Sequence, residues 1–193
     1  MLRKFVFFIS ITLLSINAFS QKVLVTVYML NKVASPSSDT IFHDVNKRLT
    51  WNDFQGKPDQ QNPGGAVTAS GFAFNADITI DRKTIYLNIG VYTYFSKKNS
   101  WKKPYIITDY HLLHEQKHFD ITRLGAENFI KELVKATFTK DNYNSALNSV
   151  FDKVYKDNIA LQERYDRETQ HSINKPVQLL WNDKIAREII LLK

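Results

Sequence analysis

From Thr108 to Pro176 the chain contains no proline, and its apolar residues recur there at helical spacing. The pattern predicts a first helix over about 109–136, capped by Thr108 or Asp109. Two threonines and an Asp-Asn pair mark 137–142 as a turn. A second helix then places Leu147, Val150, Phe151, Val154, Leu161 and Tyr165 on one stripe, and a third segment after Pro176 carries Leu179, Leu180, Ile185, Ile189 and Ile190. The half before Thr108 reads as strands. Residues 23–30 are rich in β-branched side chains, 66–80 follow as a second run, and 83–95 set Ile85, Leu87, Ile89 and Val91 on one face at a period of two. Asp81-Arg82 predicts a hairpin turn, although neither residue is the glycine such turns favour. Strands followed by helices make an α+β domain, here expected as an N-terminal antiparallel sheet of three or four strands and a long helix hairpin.

The first twenty residues are expected to lie outside that domain. Arg3 and Lys4 precede an almost continuous apolar run over 5–16, and Ala18-Phe19-Ser20 has the small-x-small pattern of a cleavage site. Asn17 interrupts the run short of the roughly 20 apolar residues that a membrane span needs. The expectation is a signal peptide over 1–20 and an exported single domain over 21–193, secreted or periplasmic, with no membrane span after cleavage. The formal charge of +7 falls to +5 once Arg3 and Lys4 leave. The remaining cations are scattered, the densest group being Lys97-Lys98 and Lys102-Lys103 beside Phe95 and Trp101. They read as a solvated basic loop rather than a nucleic-acid surface, with contact to an anionic envelope polymer as the alternative.

The chain has no cysteine and five histidines. That removes thiolate nucleophiles and cysteine-bound clusters, and leaves His, Asp and Glu as the strong metal ligands. Within the first predicted helix, His114-Glu115-Gln116-Lys117-His118 is an H-E-x-x-H motif, which composition alone would produce in roughly 0.4% of such chains. At about 100° per residue, His114 and His118 share a face and converge on one point, where Zn²⁺ fits. Glu115 flanks that face as a general base for a zinc-activated water. His111 lies on the same face and is expected to support the ligands rather than join them. Asp120 points away and is expected to anchor the helix elsewhere, Gly125 to let another segment approach, and His43 to be structural.

A catalytic zinc site needs a third protein ligand. Ile121 and Leu124 stand where a metzincin would carry Gly and His or Asp, and Glu132 lies about 21 Å along the axis from His118. If the hairpin turns near residues 139 and 140, Tyr165 falls opposite His114 and Glu168 opposite His111, so 165–171 lie beside the motif. Among His171, Glu168 and Asp166, His171 is the expected ligand because imidazole is the commonest zinc ligand of these types. Tyr165 is a candidate oxyanion stabiliser or, on an apolar stripe, a core residue.

Three segments, 49–58 around Trp51, 114–120 and 165–171, resemble a family of bacterial secreted proteins, domain of unknown function 922, described as predicted zinc-dependent proteases. The likeness spans about residues 40–185. It implies metal roles for His114 and His118, a catalytic role for Glu115 and a functional site near His171. Ser172 departs from the glycine expected after that histidine, and the Trp51 segment is expected to be either an aromatic core anchor or a cleft wall. The resulting expectation is an exported zinc-dependent hydrolase acting on peptides or proteins. The alternatives are a zinc hydrolase of a cell-wall component, or a non-catalytic envelope-binding module that uses Trp101, Phe95 and the lysine pairs around a structural metal.

Overall fold

The computed structural model describes residues 22–32 and 39–192; the expected signal peptide lies outside them. The strands are β1 (Lys22–Met29), β2 (Thr40–Phe42), β3 (Ala66–Val67), β4 (Ser70–Asp81), β5 (Thr84–Ser96) and β6 (Trp101–Lys102), and the helices are α1 (Asp109–Lys135), α2 (Tyr143–Thr169) and α3 (Lys175–Ile190). The α+β class and all three helices agree with the sequence pattern.

The sheet is not purely antiparallel. β4 and β5 form a long hairpin and β2 pairs antiparallel with the end of β5, but β1 runs parallel to β5, with Val23 opposite Ile85 and Met29 opposite Val91. Alternation of side chains is blind to strand direction, because a reversed strand presents the same two faces. Only the long connection through β2 to the hairpin decides it. The hairpin turn is also one residue later than expected, since Asp81 pairs with Thr84 and leaves Arg82-Lys83 between them. Arg82 sits at φ 52°, in the left-handed region where a Cβ is penalised. Arg82→Gly should therefore raise stability by about 1 kcal/mol in denaturant unfolding; a loss of stability would show that the turn is not strained.

One face of the sheet carries Ile85, Leu87, Ile89 and Val91, all buried as their period of two demands. Leu87, Ile89 and Val91 pack with Phe72 of β4 against Ala126, Phe129 and Leu133 of α1 and Leu147 and Val154 of α2. Each large aliphatic buried there contributes about 1.5–3 kcal/mol. A second cluster, Ile121, Tyr165, Trp181, Ile185 and Ile189, fastens α1 to α2 and α3. A third joins Leu49 and Phe54 to Phe95 and Phe119, with Trp51 packed against it. The Trp51 segment is thus a core anchor, and the Trp51 indole donates to Thr108 O at the start of α1.

Because α1 lies under the sheet on one side and against α2 and α3 on the other, its second and third turns are buried all round. His114, Glu115, Gln116, Lys117 and Asp120 all lie inside, and buried polar groups must find partners. Away from the motif they do. Asp120 accepts from His43 Nε2 at 3.0 Å, Gln116 at 2.9 Å and Lys117 at 2.9 Å. Burial alone would raise the Asp120 carboxyl, but these donors hold it below its ordinary value. Asp120 is therefore the anchor expected of it, and His43 is the structural partner. Leu49 N donates to Gln116 Oε1 at 2.8 Å, tying the Trp51 loop to the same helix. Gly125 admits α2: a Cβ there would lie 2.5 Å from Asn158 Nδ2, and that amide donates to Ile121 O.

Candidate metal centre

The α1–α2 hairpin brings the motif against the end of α2 in the register its turn predicts. The Tyr165 ring stacks on His114, centroids 4.7 Å apart, and meets His118 edge-on at 4.9 Å. Beside this ring, Asp166 turns its carboxylate to both histidines. Its Oδ1 lies 3.2 Å from His114 Nε2 and 3.0 Å from His118 Nε2. Among the described residues, His114, His118 and Asp166 form a group whose ligand atoms all lie within 4.8 Å of one another.

The opposite edges of the imidazoles fix their protonation. Gln162 donates its amide hydrogens to His118 O and Thr122 Oγ1, leaving Oε1 to accept from His118 Nδ1 at 2.6 Å. Gln178 of α3 donates to Tyr165 Oη and Asn182 Oδ1, leaving Oε1 to accept from His114 Nδ1 at 2.8 Å. Both Nδ1 atoms therefore carry hydrogens. Each neutral imidazole then directs its Nε2 lone pair at a carboxylate oxygen, which also has only lone pairs to offer. Three acceptors at this spacing repel unless a cation lies among them. Tetrahedral zinc with ligands at about 2.0–2.1 Å sets its ligand atoms about 3.3 Å apart, close to the 3.2 and 3.0 Å from Asp166 Oδ1 to the two Nε2 atoms, so the donor types and these spacings fit such an ion.

The surroundings also favour a proton in that place. Burial by itself lowers the His118 imidazole, but the hydrogen bond and charge of Asp166, with the Glu115 charge behind them, raise it to about 9. Burial likewise favours a neutral Asp166, yet the hydrogen bonds and charges of the two histidines hold its carboxyl well below the usual carboxylate range.

Glu115 is buried beside this group. Thr68, in the short connection between β3 and β4, donates its hydroxyl to Glu115 Oε2 at 2.7 Å and so orients the carboxylate. Both open onto a cavity of about 620 Å³, whose walls also include His111, His114, His118, Asp166 and His171, a volume in the ordinary range for ligand sites.

The remaining expected residues fall as follows. His171 stands at the cavity rim with 66% of its side chain exposed, and its Nδ1 is 3.5 Å from Asp166 Oδ1. It neighbours the group without joining it, and Asp166 is the third donor that the fold supplies in its place. Glu168 is turned outward to Arg164 and Trp181 Nε1. His111 does not support the ligands: its Nδ1 is paired with Thr108 Oγ1 at 2.7 Å, at the helix cap. Tyr165 is fully buried, with its hydroxyl between Gln178 and His114 O, and burial pushes its phenol up from the ordinary value, so it remains neutral. It is a platform for both imidazoles, with its hydroxyl turned away from the cavity. Ser172 sits at φ 72°, after Gln170 and His171 at φ 52° and 51°. A glycine at 172 would take that conformation without penalty.

Sequence motifs do not single out Gln162, Gln178 or Thr68. Gln162 precedes Asp166 by one helical turn and faces His118 in the hairpin register, a signal present in the sequence. Gln178 and Thr68 carry no comparable sign.

The basic loop is also resolved. Phe95 and Trp101 are buried, Lys102 Nζ donates to Trp51 O and Phe54 O, and Lys103 Nζ donates to Asn62 O. The side chains named for holding an envelope polymer are thus largely turned inward. Among the described residues no helix is long and apolar enough to cross a membrane.

No curated protein and no solved structure matches the chain. Residues 36–172 match the family described as "Bacterial protein of unknown function (DUF922)", a span that holds Thr68, all of α1 and α2, Asp166 and His171. With most of its length matched, the chain belongs to the bacterial family DUF922.

Proposed function

We propose that this protein is an exported zinc-dependent hydrolase of peptide bonds, in which His114, His118 and Asp166 hold the metal and Glu115 is the general base. The observation that carries the reading is the convergence of two Nε2 lone pairs on the Asp166 carboxylate, with both Nδ1 hydrogens committed to glutamines. Zinc bound there supplies a Lewis acid for a water molecule and for a substrate carbonyl. The protein's own groups supply the rest. Gln162 and Gln178 hold the imidazoles in the ligating tautomer, Tyr165 fixes their planes, and Thr68 keeps Glu115 turned into the cavity to take a proton from water and return it to the leaving amine.

Metal uptake tests this directly. The mature protein, stripped by a chelator, is expected to take up one zinc per chain at micromolar concentration or below; no uptake would end the reading. Since His118 holds its proton up to about pH 9 in the metal-free state, zinc must displace it. Affinity is expected to rise about tenfold per pH unit from pH 7 towards 9 and then flatten. Calorimetry in two buffers of different ionisation enthalpy should register about one proton released per zinc at pH 7.5. Uptake without proton release would contradict the assignment of His118 as a ligand.

A further inference from the structure

The cavity is longer than a pocket for one side chain. Along α2 its wall runs from Asp166 through Gln162 and Ile159 to Tyr155, eleven residues or about 16 Å at 1.5 Å per residue. That length accommodates about five residues of extended polypeptide at 3.3 Å each. The cavity is also lined by residues 64–68, which include the short strand β3 (Ala66–Val67). This backbone is pressed onto the turn at Pro104–Ile106: a Cβ on Gly65 would lie 2.4 Å from Ile106 Cγ2.

Two properties of the groove narrow its occupant. Large apolar side chains are exposed along it, with Tyr105 71%, Ile173 77%, Tyr155 42% and Ile159 42% accessible. Tyr155 is held in place by packing on Phe72 and Phe151. Moreover, among the described residues the lining contains neither lysine nor arginine. Its two carboxylates are already engaged, Glu115 by Thr68 and Asp166 by the histidines. Beyond the histidine group at one end, this lining offers no cation to receive a chain-terminal carboxylate, a phosphate or an anionic glycan along its length, and a site for a free amino terminus requires a carboxylate to spare.

We infer that the groove binds the interior of an extended polypeptide through apolar side chains seated on Tyr105, Tyr155, Ile159 and Ile173, so that the enzyme cleaves within unfolded or flexible segments rather than at chain ends. This substrate class rests on the hydrolase reading above, while the binding surface does not depend on it.

The test uses the zinc-loaded Glu115→Gln protein, with the chelator-stripped unsubstituted protein as a second host should that variant not fold. The probes are fluorescent ten-residue peptides blocked at both ends, with either Leu-Phe or Ser-Asn at the centre, and a Leu-Phe peptide with a free terminal carboxylate beside the pair. The central Leu-Phe peptide is expected to bind at least about tenfold more tightly than the Ser-Asn peptide. Ile159→Asp and Tyr105→Ser are expected to erase that preference without changing zinc content. Equal affinity for the two blocked peptides, tighter binding of the free-carboxylate peptide, or an unaltered preference in both variants would overturn the inference. The two proposals fail separately. Hydrolysis of both blocked peptides at one rate removes the groove assignment and leaves the hydrolase, whereas apolar selectivity in a protein that takes up no zinc does the reverse.

Discussion

Glu115→Gln should keep one zinc per chain and lower kcat/KM on a cleaved peptide by about 10²–10⁴-fold. The side chains have the same shape, and the glutamine Oε1 can still accept from Thr68, as Glu115 Oε2 does at 2.7 Å. The ligand atoms are untouched, so what disappears is the carboxylate that takes and returns the proton. Zinc content by atomic absorption and steady-state cleavage of a blocked peptide measure the two halves. Loss of metal would make Glu115 structural, and full activity with metal retained would remove it from the chemistry.

Asp166→Ala should weaken zinc binding by more than about 100-fold, if the 10–16 kcal/mol typical of a four-ligand zinc site is shared among its ligands. His171→Ala should leave affinity within a few-fold of the unsubstituted protein. The contrast separates the two candidates for the third ligand. Asp166 Oδ1 lies 3.2 Å from His114 Nε2 and 3.0 Å from His118 Nε2, whereas His171 is mostly exposed and touches only Asp166 within the group. Competition against a fluorescent zinc chelator gives both constants. Equal losses in the two variants would place His171 in the coordination sphere, and a loss confined to His171→Ala would exchange their roles.

The part of this site that was legible in the sequence is the part that local geometry controls. His114 and His118 share a face because a helix turns about 100° per residue, and the 27-residue α1 could be read from its apolar spacing. The hairpin register follows from one short turn, which by itself sets Tyr165 against His114. The expectation of His171 rests on frequency of ligand type, whereas the group that the fold brings together holds Asp166 and is set by conformation at the end of α2. Gln170, His171 and Ser172 all adopt left-handed backbone, and His171 N folds back on Asp166 O at 3.0 Å. That turn carries the His171 side chain to the rim, while Asp166, still helical, faces the imidazoles.

The α+β order, the buried face of β5, the helix that carries the motif and two of the three converging donors follow from sequence pattern alone, since each depends on periodicity within one element. Tertiary structure alone decided the direction of β1, the identity of the third donor, and the tautomers set by Gln162 and Gln178, which lie 44 and 64 residues from the histidines they hold. It also placed Thr68 on Glu115. These last features join segments distant in sequence, and no local pattern records which segments packing will bring together.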